Sequence, residues 1–410
     1  MPEFLELLPP PEALKRLMDH LQPQPRLEEV DTIQALGRVT YDGVNAPHAL
    51  PSFARSTVDG FSVRAEDTYG ATEALPAYLR VAGEVPMGKV AGFALPKNQC
   101  ALIHTGGMLP DGANAVVMVE YTQQVQVDEV EILRAVALGE NVLKAGEDVA
   151  EGQEVIPGGI RLRPAEIGGL MALGLTRVRV SQQPRVGIIS SGDEVVPPEQ
   201  EIKPGQVRDV NAYTLSALTQ DLGGVPVRYG IIPDRVKPMR IMAEKALQEC
   251  DVVVITAGSS ASTRDLTAEV INALGTPGVL VHGVEVRPGK PTILAVCNGK
   301  PVIGLPGNPV SALVIASIVV TKVLEALLGV RRFTPAPSVQ ARLTLNLPSQ
   351  AGREDWIPVR LVSGPEGYQA EPVFGKSNLI FTLVRANGFI RIPADATGLH
   401  AGQQVEVLLS

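Results

Sequence analysis

Four acidic side chains in the middle of the chain follow apolar runs that read as strands. They are Asp193, Glu194, Asp234 and Asp265. If those strands are parallel, their carboxyl ends meet at one edge of a sheet, where ligands of such sheets bind. Carboxylate oxygens together with substrate phosphates are the ligands that Mg²⁺ prefers. The pattern predicts a magnesium-assisted site for a phosphorylated substrate, although each acid alone could be a helix cap or a solvated loop residue.

The loop "AGSSASTRD" (257–265) could hold such a phosphate. Gly258, Ser259 and Ser260 can bring backbone N–H groups close to an anion, and the helix that follows adds a positive dipole end. A tight strand-to-helix turn needs no ligand, and Ser262-x-x-Asp265 also fits a capping box. A bare carboxylate repels a phosphate, so Asp265 is either a cap or the ligand of a bridging cation.

Two further turns are expected at the same edge. "VRPGKP" places Arg287 and Lys290 on either side of Pro-Gly, where a guanidinium fork and a compact ammonium could bind an oxyanion. "GLPGNPVSAL" places Pro306, Gly307 and Asn308 before a helix with Pro309 in its first turn. A solvated turn explains the first motif equally well, and a helix capped by Asn308 explains the second.

Composition limits the classes of ligand. The chain carries 36 Lys and Arg against 44 Asp and Glu, a net charge of −8, which argues against general binding to nucleic acid or to an anionic membrane. An anionic substrate must then be held by local positive charge. The three cysteines and five histidines are scattered and predict no zinc site or disulfide, and no HExxH motif occurs.

The chain shows no membrane or export pattern, and we expect a cytoplasmic protein. The N-terminal residues lack the basic and apolar regions of a signal peptide. The most apolar run, "PVSALVIASIVVTKVLEALLGV", is interrupted by Lys322 and Glu325. We interpret it as a buried helix rather than a membrane span.

Strands and helices alternate from residue 184, which predicts a central, mostly parallel α/β domain covered on both faces. Short β-like runs dominate the residues before and after it. The predicted organisation is as follows: an N-terminal helix in 1–26, an elongated connecting domain from 27–50 and 145–180, a small mostly-β domain at 51–144, the α/β domain at 181–332 and a β domain at 338–410.

Seven motifs occur in order along the chain. They are "SFARSTVDGFSVRAED" (52–67), "IHTGGMLPDGANAVVMVE" (103–120), "AGEDVAEGQEVIPGG" (145–159), "SSGDEV", "VRPGKP", "GLPGNPVSAL" and "GKSNLIFTL". With this set, the chain resembles the molybdopterin molybdenumtransferase family, which contains the bacterial MoeA proteins and the gephyrin E domain. The resemblance runs essentially from end to end.

The resemblance implies a fold and a reaction. The α/β domain would be of the MogA-like, molybdopterin-binding type, and the C-terminal domain would be barrel-like. The reaction would be the last step of molybdenum cofactor synthesis: insertion of molybdate into the dithiolene of adenylylated molybdopterin, assisted by Mg²⁺, with release of AMP. The protein would be a homodimer with a site shared between subunits, and a molybdopterin adenylyltransferase is a partner that the resemblance allows.

Individual residues follow from the matched motifs. Asp59 and Thr105 would face the site from the partner subunit. Glu194, Asp234 and Asp265 would be the metal-linked acids, and Lys290 would match the second lysine of the family's K-P-G-K turn. On the C-terminal domain, the positions that match molybdate contacts are Arg353 and Ser377.

Three departures from the family pattern keep other functions open. The loop usually reads "SGGVSxGxxD", so "AGSSASTRD" is one residue shorter, with Ser259 in place of the second glycine. Arg287 replaces the first lysine of K-P-G-K, and Leu143, Lys144 and Ala145 replace arginines common before "GED". A tungstate-inserting homologue, a non-catalytic pterin carrier, and an adenylyltransferase or nucleotide hydrolase are the alternatives.

Overall fold

The computed structural model describes residues 6–257, 261–331 and 336–409, without the side chains of residues 261–265. The expected contacts of Gly258, Ser259, Ser260, Ser262 and Asp265 therefore lie outside the described residues. Within the described ranges the chain forms an α/β domain, a curled six-stranded sheet, a closed β-barrel and a connecting region. The predicted multidomain α/β fold class is confirmed.

The α/β domain alternates strands and helices in the order that the sequence predicts. Its main elements are β1 (Arg185–Ser191), α1 (Asn211–Asp221), β2 (Val225–Ile232), α2 (Val236–Glu249), β3 (Val252–Ala257), α3 (Ala261–Leu274), β4 (Pro277–His282), β5 (Ile293–Cys297), β6 (Lys300–Pro306) and α4 (Pro309–Leu327). The sheet order is β2-β1-β3-β6-β5-β4, with β5 antiparallel to both of its neighbours and the other pairs parallel. The carboxyl ends of β2, β1, β3 and β6 thus share one edge with the start of β5.

Strands β1, β3 and β6 are buried almost throughout, because helices cover both faces of the sheet. One core contains residues of α1, α4 and the N-terminal helix Pro10–Asp19, and a second contains residues of α2 and α3. Within the described residues, α4 is the one helix long and apolar enough to cross a membrane, with a mean hydropathy of 2.1. Ten of its residues are buried in the fold, as the sequence predicts.

Helix α3 begins earlier than expected. The sequence predicts a start at Asp265, whereas the helix runs from Ala261 to Leu274. The predicted capping contact of the Ser262 side chain lies outside the described residues.

The curled sheet lies in the first half of the chain. Its strands, in spatial order, are Ala115–Met118, Gly60–Val63, Gln99–Ile103, Ala77–Val85, Glu129–Ile132 and Thr122–Gln126. Gly60 is required where this backbone approaches its neighbour, because a Cβ there would lie 1.9 Å from the carbonyl oxygen of Val117. Its residue type therefore fixes the position of Asp59, which precedes it.

The connecting region is built from segments far apart in sequence. Strand Leu27–Asp31 pairs with Arg177–Ser181, and Val44–Asn45 pairs with Glu154–Ile156. Helix Pro164–Ala172 packs beside them. The fold-back of the residues after 145 onto 27–50 is as predicted, while the predicted domain boundaries stay a prediction.

Five strands close the C-terminal barrel. Around the barrel they are Glu354–Gly364, Gly367–Pro372, Ser338–Leu343, Gln404–Leu409 and Gly388–Ile392, and the last pairs again with the first. A sixth strand comes from the α/β domain: Val286–Arg287 pairs in parallel with Glu354–Asp355. A short helix, Phe381–Val384, follows the "GKSNL" segment.

The three cysteines all lie within the described residues, and they are buried and free. Burial disfavours the thiolate and raises the pKa of Cys100 to about 12 and that of Cys297 to about 11. The absence of a disulfide among them is as predicted.

Candidate active site

A cavity of about 1050 Å³ lies between the α/β domain and the barrel. The structure brings six of the predicted site residues to its wall: Arg287, Lys290, Pro306, Asn308, Arg353 and Ser377. They come from four separate segments of the sequence. Residues of the α/β domain and of the barrel thus form one concave site within a single chain.

The "VRPGK" turn is held against both domains. The backbone N–H of Glu354 donates to the carbonyl oxygen of Glu285 at 2.9 Å, at the start of the pairing between Val286–Arg287 and the barrel. On its other side the turn rests on α4, where a Cβ on Gly289 would lie 2.4 Å from Cγ1 of Ile315. Glycine is needed for this close approach.

Asp355 links the two arginines of the cavity, and its role was not predicted from the sequence. Its side chain is 1% exposed, and its Oδ1 accepts a hydrogen bond from Nε of Arg353 at 3.0 Å. Nη1 of Arg287 lies 3.7 Å from Oδ2. That second oxygen accepts no hydrogen bond from any residue that the structure describes. The spacing of Arg353 and Asp355 on one strand face was the available indication.

Ser377 is fixed at the start of α4 by two contacts. Nδ2 of Asn308 donates to its Oγ at 3.0 Å, and the backbone N–H of Val310 donates to its carbonyl oxygen at 3.0 Å. Asn308 occupies the N-cap position without a side-chain capping bond, so the predicted cap by its side chain is wrong, while Pro309 lies in the first turn as predicted. The amide instead reaches the barrel. Behind it, the carbonyl oxygen of Gly307 accepts from Nδ2 of Asn211 at 2.8 Å.

The cavity is electropositive in a protein of net charge −8. Among the described residues, the ionisable ones that line it are the cations Arg287, Lys290, Arg353 and Lys376 and the carboxylates Glu285 and Asp355. The N-terminal end of α4 adds a partial positive charge. Lys376, beside Ser377 in "GKSNL", was not predicted from the sequence. Guanidinium and ammonium groups converging on one space form a site for an oxyanion or a phosphate.

Asp59 and Thr105 lie together on the curled sheet, outside the residues that line the cavity. The backbone N–H of Thr105 donates to Oδ1 of Asp59 at 2.8 Å, and its hydroxyl lies 3.3 Å from the same oxygen. The Thr105 N–H chiefly holds the pKa of the Asp59 carboxyl below its usual range, with smaller effects from the Thr105 hydroxyl and His104. This edge therefore presents an ionised carboxylate.

A histidine beside Asp59 and the glutamate that this histidine also contacts were not predicted. Nδ1 of His104 lies 3.6 Å from Asp59, and Nε2 lies 3.4 Å from Glu84. The indication for His104 was the antiparallel pairing of Gly60 with Ile103, which places positions 59 and 104 side by side.

The acids at the carboxyl ends of β1 and β2 form a separate group. Oγ of Ser191 donates a short hydrogen bond to Oδ1 of Asp234, and the backbone N–H of Asp234 lies 3.4 Å from Oδ1 of Asp193. Neither Glu194 nor Asp234 lines the cavity. Within the described residues no three His, Cys, Asp or Glu side chains form a group able to hold a metal ion, so the residues in view do not by themselves make a Mg²⁺ site.

Three family models match consecutive parts of the chain. Residues 8–174 match the MoeA N-terminal region (domain I and II), residues 187–326 a probable molybdopterin binding domain, and residues 340–410 the MoeA C-terminal region (domain IV). The sheet edge and cavity described above fall within the second and third of these regions. Fold and site thus define a multidomain protein with a molybdopterin-binding α/β domain.

Relatives of known name match over nearly the whole length. A molybdopterin molybdenumtransferase of Nostoc is 33% identical, over 96% of this chain and 91% of its own. One from Bacillus subtilis is 31% identical, over 98% of this chain and 94% of its own. A crystal structure of a molybdopterin biosynthesis MoeA protein from Pyrococcus horikoshii is 33% identical, with a TM-score of 0.87 over 99% of this chain and 100% of the other. The chain belongs to the MoeA family.

Proposed function

We propose that this protein is a molybdopterin molybdenumtransferase, an enzyme of molybdenum cofactor biosynthesis that inserts molybdate into the dithiolene of molybdopterin. The observation that carries the proposal is the cavity between the α/β domain and the barrel, where four cationic side chains meet in an acidic protein. Molybdate is a doubly charged oxyanion, and the substrate pterin carries phosphate. The names of the full-length relatives support the same reaction.

The insertion step is a ligand exchange. Two Mo–S bonds form from the dithiol, and one oxo group of molybdate leaves as water with the two thiol protons. Molybdenum keeps its oxidation state, so the step needs no oxidant or reductant. The protein's contribution is to bring two anions together, which requires positioning and compensation of their negative charge.

We assign the roles of the cavity residues accordingly. Arg287, Lys290, Arg353 and Ser377 bind molybdate, with Pro306, Gly307 and Asn308 shaping the turn beside it. The loop of Gly258, Ser259 and Ser260, with Ser262, holds the phosphates of the pterin. These roles agree with the donors available: two guanidinium forks, an ammonium and a hydroxyl around one space.

The finer part of the proposal concerns the leaving group. The substrate would be the adenylylated pterin, and water would cleave its phosphoanhydride to give AMP and the pterin monophosphate. Glu194, Asp234 and Asp265 are our proposed ligands for Mg²⁺, which would offset the charge of the phosphates. No step above depends on that metal.

We further propose a cytoplasmic homodimer in which Asp59 and Thr105 complete the partner's site. Their position outside the cavity lining supports this arrangement, since an ionised carboxylate on an exposed edge is available to a second copy. Mixing the inactive variants Asp59→Asn and Arg353→Ala tests it. Random dimers would regain about a quarter of wild-type activity, because half are mixed and each mixed dimer has one intact site. No recovery with confirmed subunit exchange would show that the site is not shared.

The reaction itself is tested with purified protein, adenylylated molybdopterin, Mg²⁺ and molybdate, with AMP and pterin-bound molybdenum measured together. Release of both supports the proposal. Tight pterin binding without AMP would identify a carrier, and consumption of ATP with molybdopterin alone would identify an adenylyltransferase. A parallel series with tungstate determines which oxyanion is preferred, a question that Arg287 raises because the family has lysine at this position.

A further inference from the structure

We propose that Asp355 is a positioning residue that fixes the guanidinium groups of Arg287 and Arg353 for binding of the oxyanion. The inference rests on the proposed function, since it concerns the same cavity, and it adds a residue that no family motif above assigns. Asp355 would not contact the reacting atoms. It would act through the two arginines.

Asp355 is buried in a way that stability does not explain. The side chain of Asp355 is 1% exposed, and Oδ2 lacks a hydrogen-bond donor from the described residues. A buried carboxylate with one unsatisfied oxygen is costly, and similar ion pairs can often be replaced by apolar residues without loss of stability. Stability alone therefore gives no reason for a carboxylate at the wall of this cavity.

The two arginines that contact Asp355 belong to different domains. Arg287 comes from the α/β domain and Arg353 from the barrel, and the strand pairing aligns Arg287 with Asp355. The Arg287 side chain is 63% exposed and Arg353 is 32% exposed. Long exposed side chains sample many rotamers, and ordering them on binding costs affinity. A rigid carboxylate between them sets their separation before the ligand arrives.

The contacts of Asp355 with Arg353 and with Arg287 differ in distance. Arg353 Nε is hydrogen-bonded to Oδ1 at 3.0 Å, whereas Arg287 Nη1 lies 3.7 Å from Oδ2, beyond hydrogen-bond distance. The contact therefore orients Arg287 while leaving that donor group available. Asp355 thus holds the arginines in place without using all of their donors.

The test is a calorimetric titration of the Asp355→Asn variant with molybdate alone, which measures the Kd for the oxyanion. If Asp355 affected binding only through its charge, the variant would bind molybdate more tightly, because the substitution removes a negative charge near an anion. Positioning predicts the opposite sign, a rise in Kd of about tenfold, through loss of the oriented guanidinium pair. In turnover assays the same variant would show a raised KM for molybdate, with kcat changed less.

A double-mutant cycle with Arg287→Gln separates positioning from structure. If Asp355 acts through Arg287, its substitution has a smaller effect on Kd when Arg287 is already absent. The control is Glu371→Gln, which breaks an ion pair with Arg360 on the same barrel, outside the cavity lining, and would leave Kd unchanged. Unchanged or tighter molybdate binding by folded Asp355→Asn overturns the inference. Because this titration uses no pterin, its outcome is independent of whether the proposed turnover is observed.

If Asp355→Asn does not fold, the wild-type protein still provides a test. Side-chain NMR of Arg287 and Arg353, assigned with the glutamine variants, reports their order in the absence of ligand. Both guanidinium groups are expected to be ordered before molybdate is added. Ordering that occurs only on addition of molybdate would contradict pre-positioning.

Discussion

The cavity and the Asp59 edge differ in almost every physical respect. The cavity is concave and cationic and is built by two domains of one chain around a buried carboxylate. The Asp59 edge is exposed and anionic, and its key contact is a single backbone N–H from Thr105. The first is equipped to hold an anion by itself. The second has no enclosure of its own, so any catalytic role requires another surface to face it.

Because of this difference, we expect the two regions to affect oxyanion affinity and turnover separately. We expect substitutions in the cavity to change oxyanion binding and turnover together, because the cationic donors contact the ligand throughout. Substitutions at the Asp59 edge should change turnover and leave oxyanion binding intact. The comparison would fail if both regions affected molybdate affinity alike.

The largest effect is expected for Arg353→Ala. The change removes a charged donor from the cavity and leaves Asp355 with a more distant partner, so molybdate-dependent turnover should fall about 100-fold or more. The matched control is Arg360→Ala, an arginine of the barrel strand that follows Arg353, paired with Glu371 outside the cavity. AMP release at saturating pterin is the measurement. Equal activity of the Arg353→Ala and Arg360→Ala variants would show that Arg353 is not part of the site.

Asp59→Asn is expected to lower turnover by about 100-fold, at the lower end of the range for single acid–base groups. Molybdate affinity should stay at its wild-type value and the protein should remain folded, since the Asp59 side chain is 62% exposed and lies outside the cavity lining. Calorimetric titration and thermal denaturation check both points. A large loss of molybdate affinity would mean that the two regions are not separate.

A smaller effect is expected for Asn308→Ala. Loss of its hydrogen bond to Ser377, about 1 kcal/mol, should weaken molybdate binding about fivefold by freeing the serine. Asn387→Ala is a suitable control, because its amide accepts from Leu361 in the barrel away from the cavity. That control should lose similar stability and keep its affinity. Unchanged molybdate affinity of Asn308→Ala, with a loss of stability, would show that Asn308 contributes to folding and not to binding.

The smallest effect concerns pH. The pKa of Asp59 is lowered from 3.8, chiefly by the backbone N–H of Thr105, so Thr105→Ala should leave it below 3.8. A lowered folded pKa gives a stabilising contribution that is present above the unfolded pKa and lost as pH falls through the folded value. Asp59 should therefore titrate only below 3.8 and leave no inflection in activity near neutral pH. A carboxyl NMR titration gives the value directly.

Much of the cavity's location could be read from the sequence because local patterns encode it. Alternating apolar strands and helices predicted the sheet, and the known geometry of such sheets placed the "VRPGK" and "GLPGNP" turns at one edge. The turn of Arg287 and Lys290 reaches that edge because β5 is antiparallel and begins there. Arg353 and Ser377 followed from the family motifs, since 338–410 gave no local indication of chemistry.

The rest depends on contacts between distant segments, which leave little trace in any short window. The two-residue strand Val286–Arg287 pairs with the barrel, and only that pairing brings Asp355 beside Arg287. Asn308 looked like a cap, but its side chain makes no capping bond, and its Nδ2 donates to Oγ of Ser377 in the barrel. In both cases a long-range partner decided the role of a residue whose local role was ambiguous.

The buried cysteines matter for a substrate that carries two sulfur atoms. A thiolate is the species that attacks disulfides, and burial keeps Cys100 and Cys297 protonated well above neutral pH. All three cysteines are also out of reach of a molecule in the cavity, since none lines it. Under the proposed function, a dithiol bound in the cavity would contact none of the three cysteines, so we expect no mixed disulfide with the protein.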